Sequence, residues 1–258
     1  MIKQIIFALA LALTLGVFAF TVYRLMRFFS FTKPFPIGDF GKRFQIMMKV
    51  AFGQTKIFRR PVIGLLHALV FWGFCVILVG SIEMVIDGLF GFERSLGVLG
   101  VVYDLITASG DVFALIVALA IVVFLGRRLF FHIRRFEGIE MKPSTHIDAN
   151  IALSMILFLM LSLMGMNASY VGFQNFGGHE LTGVYPVGQW IAPVFGDLNA
   201  ETIYVWYEFF WWAHILLIFV FANMLPYSKH FHVFMSVPNV FLSRSEERRV
   251  GKECRSRW

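Results

Sequence analysis

Long apolar stretches alternate with short polar ones from end to end of this chain. Five of them run for about 20 residues with almost no charge, at about 5–23, 62–86, 98–125, 149–168 and 203–225. A hydrocarbon core of about 30 Å needs roughly 20 apolar residues per helix. Each stretch therefore predicts a spanning helix, and the set predicts an all-α fold, a five-helix transmembrane bundle. The first stretch begins like a signal peptide, with Lys3 and an Ala/Leu run. It continues through Phe18, Phe20 and Val22 to Tyr23, past the about 7–15 residues of a secretory apolar region, and so reads as a span.

The polar segments set the orientation. Between the first two stretches lie Arg24, Arg27, Lys33, Lys42, Arg43, Lys49, Lys56, Arg59 and Arg60, and between the third and fourth lie Arg127, Arg128, Arg134, Arg135 and Lys142. The other side carries Arg94 in its first loop and no Lys or Arg from 169 to 201. Basic residues collect in cytoplasmic loops, which predicts an outside N-terminus and a cytoplasmic C-terminus. The 169–201 segment, with Gly172, Gly177, Gly178, Gly183, Gly188, Pro186 and Pro193, reads as an ordered outer cap. Its Tyr185, Trp190 and Phe195 suit the interfacial aromatic belt.

Composition agrees with the pattern. Of 258 residues 58% are hydrophobic and 15% charged, with a mean hydropathy of +0.73; soluble domains average about 45–50% and about 25%. Thirty-one Phe and 6 Trp exclude a disordered chain, and two Cys exclude a disulfide scaffold. The net charge of +7 reads as loop anchors beside lipid headgroups, with no nucleic-acid partner. Part of it lies in a composition break: residues 244–258, RSEERRVGKECRSRW, hold six Arg/Lys and three Glu with no apolar period. They resemble a translated sequencing-adapter read-through, a non-native tail on a truncated chain. Without them 17 basic and 13 acidic residues leave +4 (23 − 6 and 16 − 3). Cys254 lies in no CxxC spacing.

Ionisable groups inside apolar spans are functional candidates by default. His67 sits about one and a half turns into the second stretch, in GLLHALVFWGF, and His214 lies within the fifth. His232 follows His214 by 18 residues, five helical turns, which on a continuous helix puts both rings on one face about 27 Å apart. Pro226 lies between them and is expected to bend the helix. His67 and His232 fall at the same, inner depth. Two such imidazoles can clamp a haem iron between helices; alternatively His67 hydrogen-bonds a neighbouring helix and His232 anchors at the headgroups.

The last stretch, WWAHILLIFVFANMLPYSKHFHVF, resembles the final helix of the gamma subunit of respiratory nitrate reductase. That family has five spans, an outside N-terminus, two b haems, and two haem-ligating His 18 residues apart in its last helix. A more specific resemblance is to the nitrate-reductase-gamma-like membrane domain of heterodisulfide-reductase-related iron–sulfur oxidoreductases. It rests on LPYSKHFH followed by Pro238 and Asn239, on FGQTKIFRRP before the second stretch and on IDGLFG after it. The resemblance covers about 1–243. It implies a b-type cytochrome domain of the bacterial-type cytoplasmic membrane. Electrons would pass between quinone or quinol and a cytoplasmic iron–sulfur module, fused after the last span or supplied by a partner. His67 and His232 match the ligands of one inner haem b. The gamma subunit's second His in helix two falls at Ile77, so His214 lacks its expected partner and stands for a second haem, a quinone contact or a core His. His230 is an alternative inner ligand.

Other polar residues carry less. His132 reads as interfacial, His146 as a residue near a helix start and a reserve ligand, and His179 as a possible proton relay in the cap. Glu83, Asp87 and Asp104 read as interfacial carboxylates. Asp111, deeper, is the best proton-path candidate. Two further functions stay open: a haem-free membrane anchor for a redox partner, and a small transporter.

Overall fold

A computed structural model describes residues 1–31, 37–59, 61–131, 143–178 and 180–243. The expected tail at 244–258, His132, His179, Lys33, Arg60, Arg134, Arg135 and Lys142 lie outside the described residues. The described residues contain helices and no strand. The elements are α1 (Ile2–Phe29), α2 (Phe40–Met47), α3 (Pro61–Phe90), α4 (Val101–Phe130), α5 (Pro143–Gly177), α6 (Pro186–Ile191), α7 (Ala200–Met224) and α8 (His232–Leu242). Five of these helical segments are long and apolar enough to cross a membrane: Ile2–Phe28, Pro61–Phe90, Val101–Phe130, Ile147–Gly177 and Ala200–Tyr227. The chain is all-helical in these residues and compatible with a multi-pass membrane protein.

Each long helix outruns its apolar stretch, α5 most of all. The polar run Asn167, Ser169 and Tyr170 reads as the end of a span, yet the helix continues to Gly177. The reason is local satisfaction. Ser162 donates back to Leu159 O at 2.9 Å and Ser169 to Gly165 O at 2.7 Å, so neither hydroxyl needs water.

The long helices run alternately up and down. One end of the bundle, the basic end, gathers Arg24, Arg27, Arg43, Arg127, Arg128, α2 and α8. The other, the cap end, holds the α3–α4 turn and the α5–α7 connection with α6. Helix α5 packs against α7 and α4, and α3 against α4. Small residues permit the approach: a Cβ on Gly73 would meet Val117 Cγ2 at 2.5 Å, and one on Gly165 would meet the Phe210 ring at 2.7 Å.

Helix α1 is held by side chains. Phe7, 0% exposed, lies 5.6 Å from the Trp211 ring and 5.8 Å from that of Phe219, on a groove floored by Gly88. Asn223 donates to Thr14 O at 3.3 Å, and Thr21 Oγ1 lies 3.1 Å from Tyr227 Oη. At the basic end, Trp72 donates its indole N–H to Phe52 O at 2.9 Å. Arg43 donates to Phe241 O at 3.1 Å and Ser243 O at 3.4 Å, closing the carbonyl end of α8 onto α2.

The last helix differs from expectation. Pro226 ends it instead of bending it. Helix α7 stops at Met224, a 3-10 turn covers Leu225–Tyr227, and Ser228 is extended (φ −97°, ψ 158°). Ser228 then caps a second 3-10 turn, Lys229–Phe231, by accepting from His230 N at 3.2 Å. His232 opens a separate helix.

Candidate functional site

Two places in the bundle gather the chemistry. The first is at the basic end. His67, on the second turn of α3, and His232, at the start of α8, have ring centres 6.1 Å apart with planes inclined at 37°. The five-turn argument does not produce this pairing, because no continuous helix joins His214 to His232. The turns after Pro226 bring His232 onto α3 instead. His230 lies beside the pair, its ring centre 6.0 Å from that of His232. The Ser228 hydroxyl donates to Asp148 Oδ2 at 3.1 Å and lies 3.2 Å from His230 Nδ1. Burial and the neighbouring His232 hold the His230 imidazole below its ordinary pKa, against the pull of Asp148. His230 is thus tied to Ser228, while the His67 and His232 rings face the same gap from α3 and α8.

The donor set can be tested against a haem. Two imidazoles sharing one metal, at about 2 Å per metal–nitrogen bond, have ring centres roughly 6 Å apart, and His67 and His232 meet that spacing. Among the described residues no group of three or more His, Cys, Asp or Glu could hold a bare metal ion. The arrangement fits a macrocycle-bound iron, which needs two axial protein ligands.

The second place is a chamber toward the cap end, between α3, α4, α5 and α7. Its cavity volume is about 60 Å³, and its lining includes Ile77, Gly80, Glu83, Gly110, Trp211 and His214. His214 is 1% exposed. Its Nδ1 lies 2.9 Å from Leu159 O and 3.0 Å from Ser162 Oγ. A carbonyl only accepts, so Nδ1 carries the hydrogen and Nε2 is left as the ring's acceptor. Ile77 lines the same chamber, and among the described residues its lining holds no second imidazole.

Arg94, in sequence only a marker of topology, lines the chamber at its cap end. It sits in the α3–α4 turn at φ 54°, a left-handed conformation that costs a non-glycine residue roughly 1–2 kcal/mol. The turn is fixed by acids of α3. Asp87 accepts from Arg94 N at 2.9 Å and Ser95 N at 3.1 Å, while Glu83 accepts from Leu96 N at 3.0 Å and the Tyr103 hydroxyl at 3.1 Å. The guanidinium enters a tyrosine cage, 4.4 Å from the centre of Tyr170 and 5.0 Å from that of Tyr185. Burial pushes the Tyr185 phenol above its ordinary pKa. The signal that would have found this site is a lone Arg between two acids and a Tyr, in cap segments otherwise free of Lys and Arg.

Asp111 is 1% exposed and lies next to the chamber. Its Oδ2 accepts from Val187 N at 2.7 Å and Gly188 N at 3.0 Å, and its Oδ1 accepts from Asn167 Nδ2 at 3.0 Å. These contacts join α4, α5 and the start of α6, so the carboxyl pins the cap to the bundle. Glu83 and Asp87 likewise serve the turn, and Asp104 lies in the first turn of α4. His146 belongs to α5, and its side chain lies outside what is described.

The chain is similar to two oxidoreductases. It is 27% identical over 207 residues to a probable iron-sulfur-binding oxidoreductase, FadF, of Bacillus subtilis (strain 168), a match covering 80% of this chain and 28% of that protein. It is 22% identical over 199 residues to the EtfAB:quinone oxidoreductase of Syntrophomonas wolfei subsp. wolfei (strain DSM 2245B / Goettingen), covering 73% and 26%. The chain thus spans about a quarter of the length of these relatives. No protein-family model and no solved structure matches it.

Proposed function

We propose that this chain is the membrane part of a quinone-linked oxidoreductase, a b-type cytochrome domain that passes electrons between the quinone pool and an iron–sulfur module. The five apolar helices cross a bacterial-type cytoplasmic membrane, with the cap outside and the basic end inside, as the loop charges direct. The single observation that carries the reading is the His67–His232 pair at 6.1 Å. The names of both relatives support it from the other side, one as iron-sulfur-binding and one as acting on quinone. The gamma-subunit resemblance supplies the cofactor, one haem b.

His67 and His232 would hold the haem iron, each through one ring nitrogen. Ser228, which donates to Asp148, holds His230 beside the pair. The haem, when bound, supplies one-electron storage. Arg43 fixes α8 and with it the His232 ligand. The iron–sulfur module meets the basic end, in the same polypeptide or as a partner protein, and the longer relatives leave room for either.

A reduced-minus-oxidised visible spectrum of the purified protein tests the reading. A b-type alpha band that disappears in His67→Ala and His232→Ala is expected. Absence of the band from the unaltered protein refutes the cytochrome and leaves a membrane anchor.

A further inference from the structure

We propose that α2 and α8 form an in-plane platform at the basic end whose outer face takes anionic phospholipid, with Lys42 and Lys49 on its phosphate. This rests on the membrane reading of the five apolar helices and on neither haem nor quinone. Three observations carry it.

The first is an apolar row that no described part of the protein covers. Phe40, Phe44, Met48 and Phe52 recur every four residues and are 61%, 56%, 44% and 37% exposed in turn. On an α-helix such a row drifts round the axis. The wider π turn over Met48–Phe52 brings it back toward line. Ile46 and Val50, between them, are the less exposed positions and turn toward the bundle. Helix α8 repeats the pattern: Phe234, Pro238 and Leu242, again four apart, are all exposed. The two helices are joined side by side by the Phe40 and Phe241 rings, 6.0 Å apart, and by the Arg43 donation to Phe241 O.

The second is depth. The Phe52 ring centre lies 6.1 Å from that of Phe71, and Trp72 donates to Phe52 O. Phe71 stands ten residues, about 15 Å, into α3. The Phe234 ring centre lies 6.5 Å from that of Phe18. Phe18 stands six residues, about 9 Å, before Arg24, the first cation at that end of α1. Both rows are thus level, in part, with apolar turns of spanning helices. A water-soluble partner does not reach that depth, whereas acyl chains do.

The third is charge. Lys42 and Lys49 are both exposed, seven residues and about 10 Å apart along α2, with the exposed Gln45 between them. Among the described residues neither has an ion-pair partner. Asp39 is the one acid from Ile37 to Arg59. A row of rings bordered by lysines fits a helix lying in the bilayer interface, its apolar side in the acyl region and its cations at the head groups. A zwitterionic head group brings its own cation, but an anionic one leaves its phosphate charge to the lysines. Helix α8 opens with His232, so a lipid seated on the platform also steadies the helix that carries that imidazole.

The test is native mass spectrometry of the full chain released from nanodiscs of equal phosphatidylglycerol and phosphatidylcholine. Each lysine at an anionic surface gives about a fivefold preference, so the pair should hold one phosphatidylglycerol per chain about thirtyfold over phosphatidylcholine. The double variant Lys42→Gln with Lys49→Gln should lower that preference at least tenfold, and Lys42→Arg with Lys49→Arg should keep it. Both positions are exposed, so both variants should melt like the unaltered protein. Hydrogen exchange over 40–52 should be slower in nanodiscs containing phosphatidylglycerol than in phosphatidylcholine alone. Equal retention of the two lipids, or a preference that the glutamine pair leaves intact, overturns the assignment. So does free exchange of 40–52 in the anionic nanodiscs, which would show a face open to water, as a soluble redox partner requires. Neither readout involves haem. A retained lipid preference in a protein without a b-type band sinks the cytochrome reading alone, and a b-type band with equal lipid retention sinks this site alone.

Discussion

Removing the Asp111 carboxyl should loosen the cap before anything else. Three donors point at it: two backbone N–H groups at the start of α6 and the amide of Asn167. In Asp111→Ala all three lose their acceptor in a place that is 1% exposed. At about 1–3 kcal/mol per stranded donor, and allowing for relaxation, the loss is about 4 kcal/mol. For a chain of this size each kcal/mol moves the midpoint by about 2–4 °C, so thermal unfolding in detergent should fall by roughly 10 °C. The cap should also become the first segment cut in limited proteolysis. Asp111→Asn is nearly isosteric. Its oxygen still accepts from Val187 and Gly188, and its amide meets an Asn167 side chain turned by 180°, so it should lose no more than about 3 °C. An unchanged midpoint in Asp111→Ala refutes the pinning role. Quinol-linked turnover in Asp111→Asn then tests the proton path separately, because stability is preserved while the titratable group is gone.

Three further outcomes follow from other contacts. His230→Ala should retain the b-type band that His67→Ala and His232→Ala lose; haem loss in all three would make His230 a ligand or a required support, read from the pyridine haemochrome. Phe7→Ala should cost about 3 kcal/mol of stability, near the low end for a buried phenylalanine, because lipid refills part of the gap. Loss of α1 protection in hydrogen exchange would report it, and unaltered exchange would count against the Phe7–Trp211–Phe219 cluster as the anchor. Gly73→Leu should prevent stable folding or haem loading, since even its Cβ would lie 2.5 Å from Val117; a normal melting profile would show that α3 and α4 are not held at that distance.

Much of the fold was legible because a bilayer asks for one simple thing, an apolar run of fixed minimum length, and the chain supplies it five times. The ends were less legible. Hydropathy alone does not show that Ser162 and Ser169 satisfy their hydroxyls on their own helix, so α5 reads nine residues short of Gly177. Helical periodicity put His232 and His214 on one face, and the break at Pro226 removed that argument. The pairing of His67 with His232 was legible through depth, which survives a broken helix because both residues sit at the same end of the bundle. The chamber was not legible. Arg94, Tyr170, Tyr185 and Tyr207 come from separate segments, and only folding aims them at one point. Asp111 stood out as a buried carboxyl, but its partners Val187 and Gly188 are backbone groups of a six-residue helix that no side-chain pattern marks.

The two imidazoles at the basic end are separated by 165 positions (232 − 67). Everything that builds α4, α5, α6 and α7 lies within that loop. During synthesis His67 is therefore exposed long before its mate exists, and the pair meets only when the other helices have taken their places. A haem held by this pair, as proposed, would be completed only after those helices are in place. It would record that they are correctly seated, and a chain interrupted anywhere between the two residues would have only half of it.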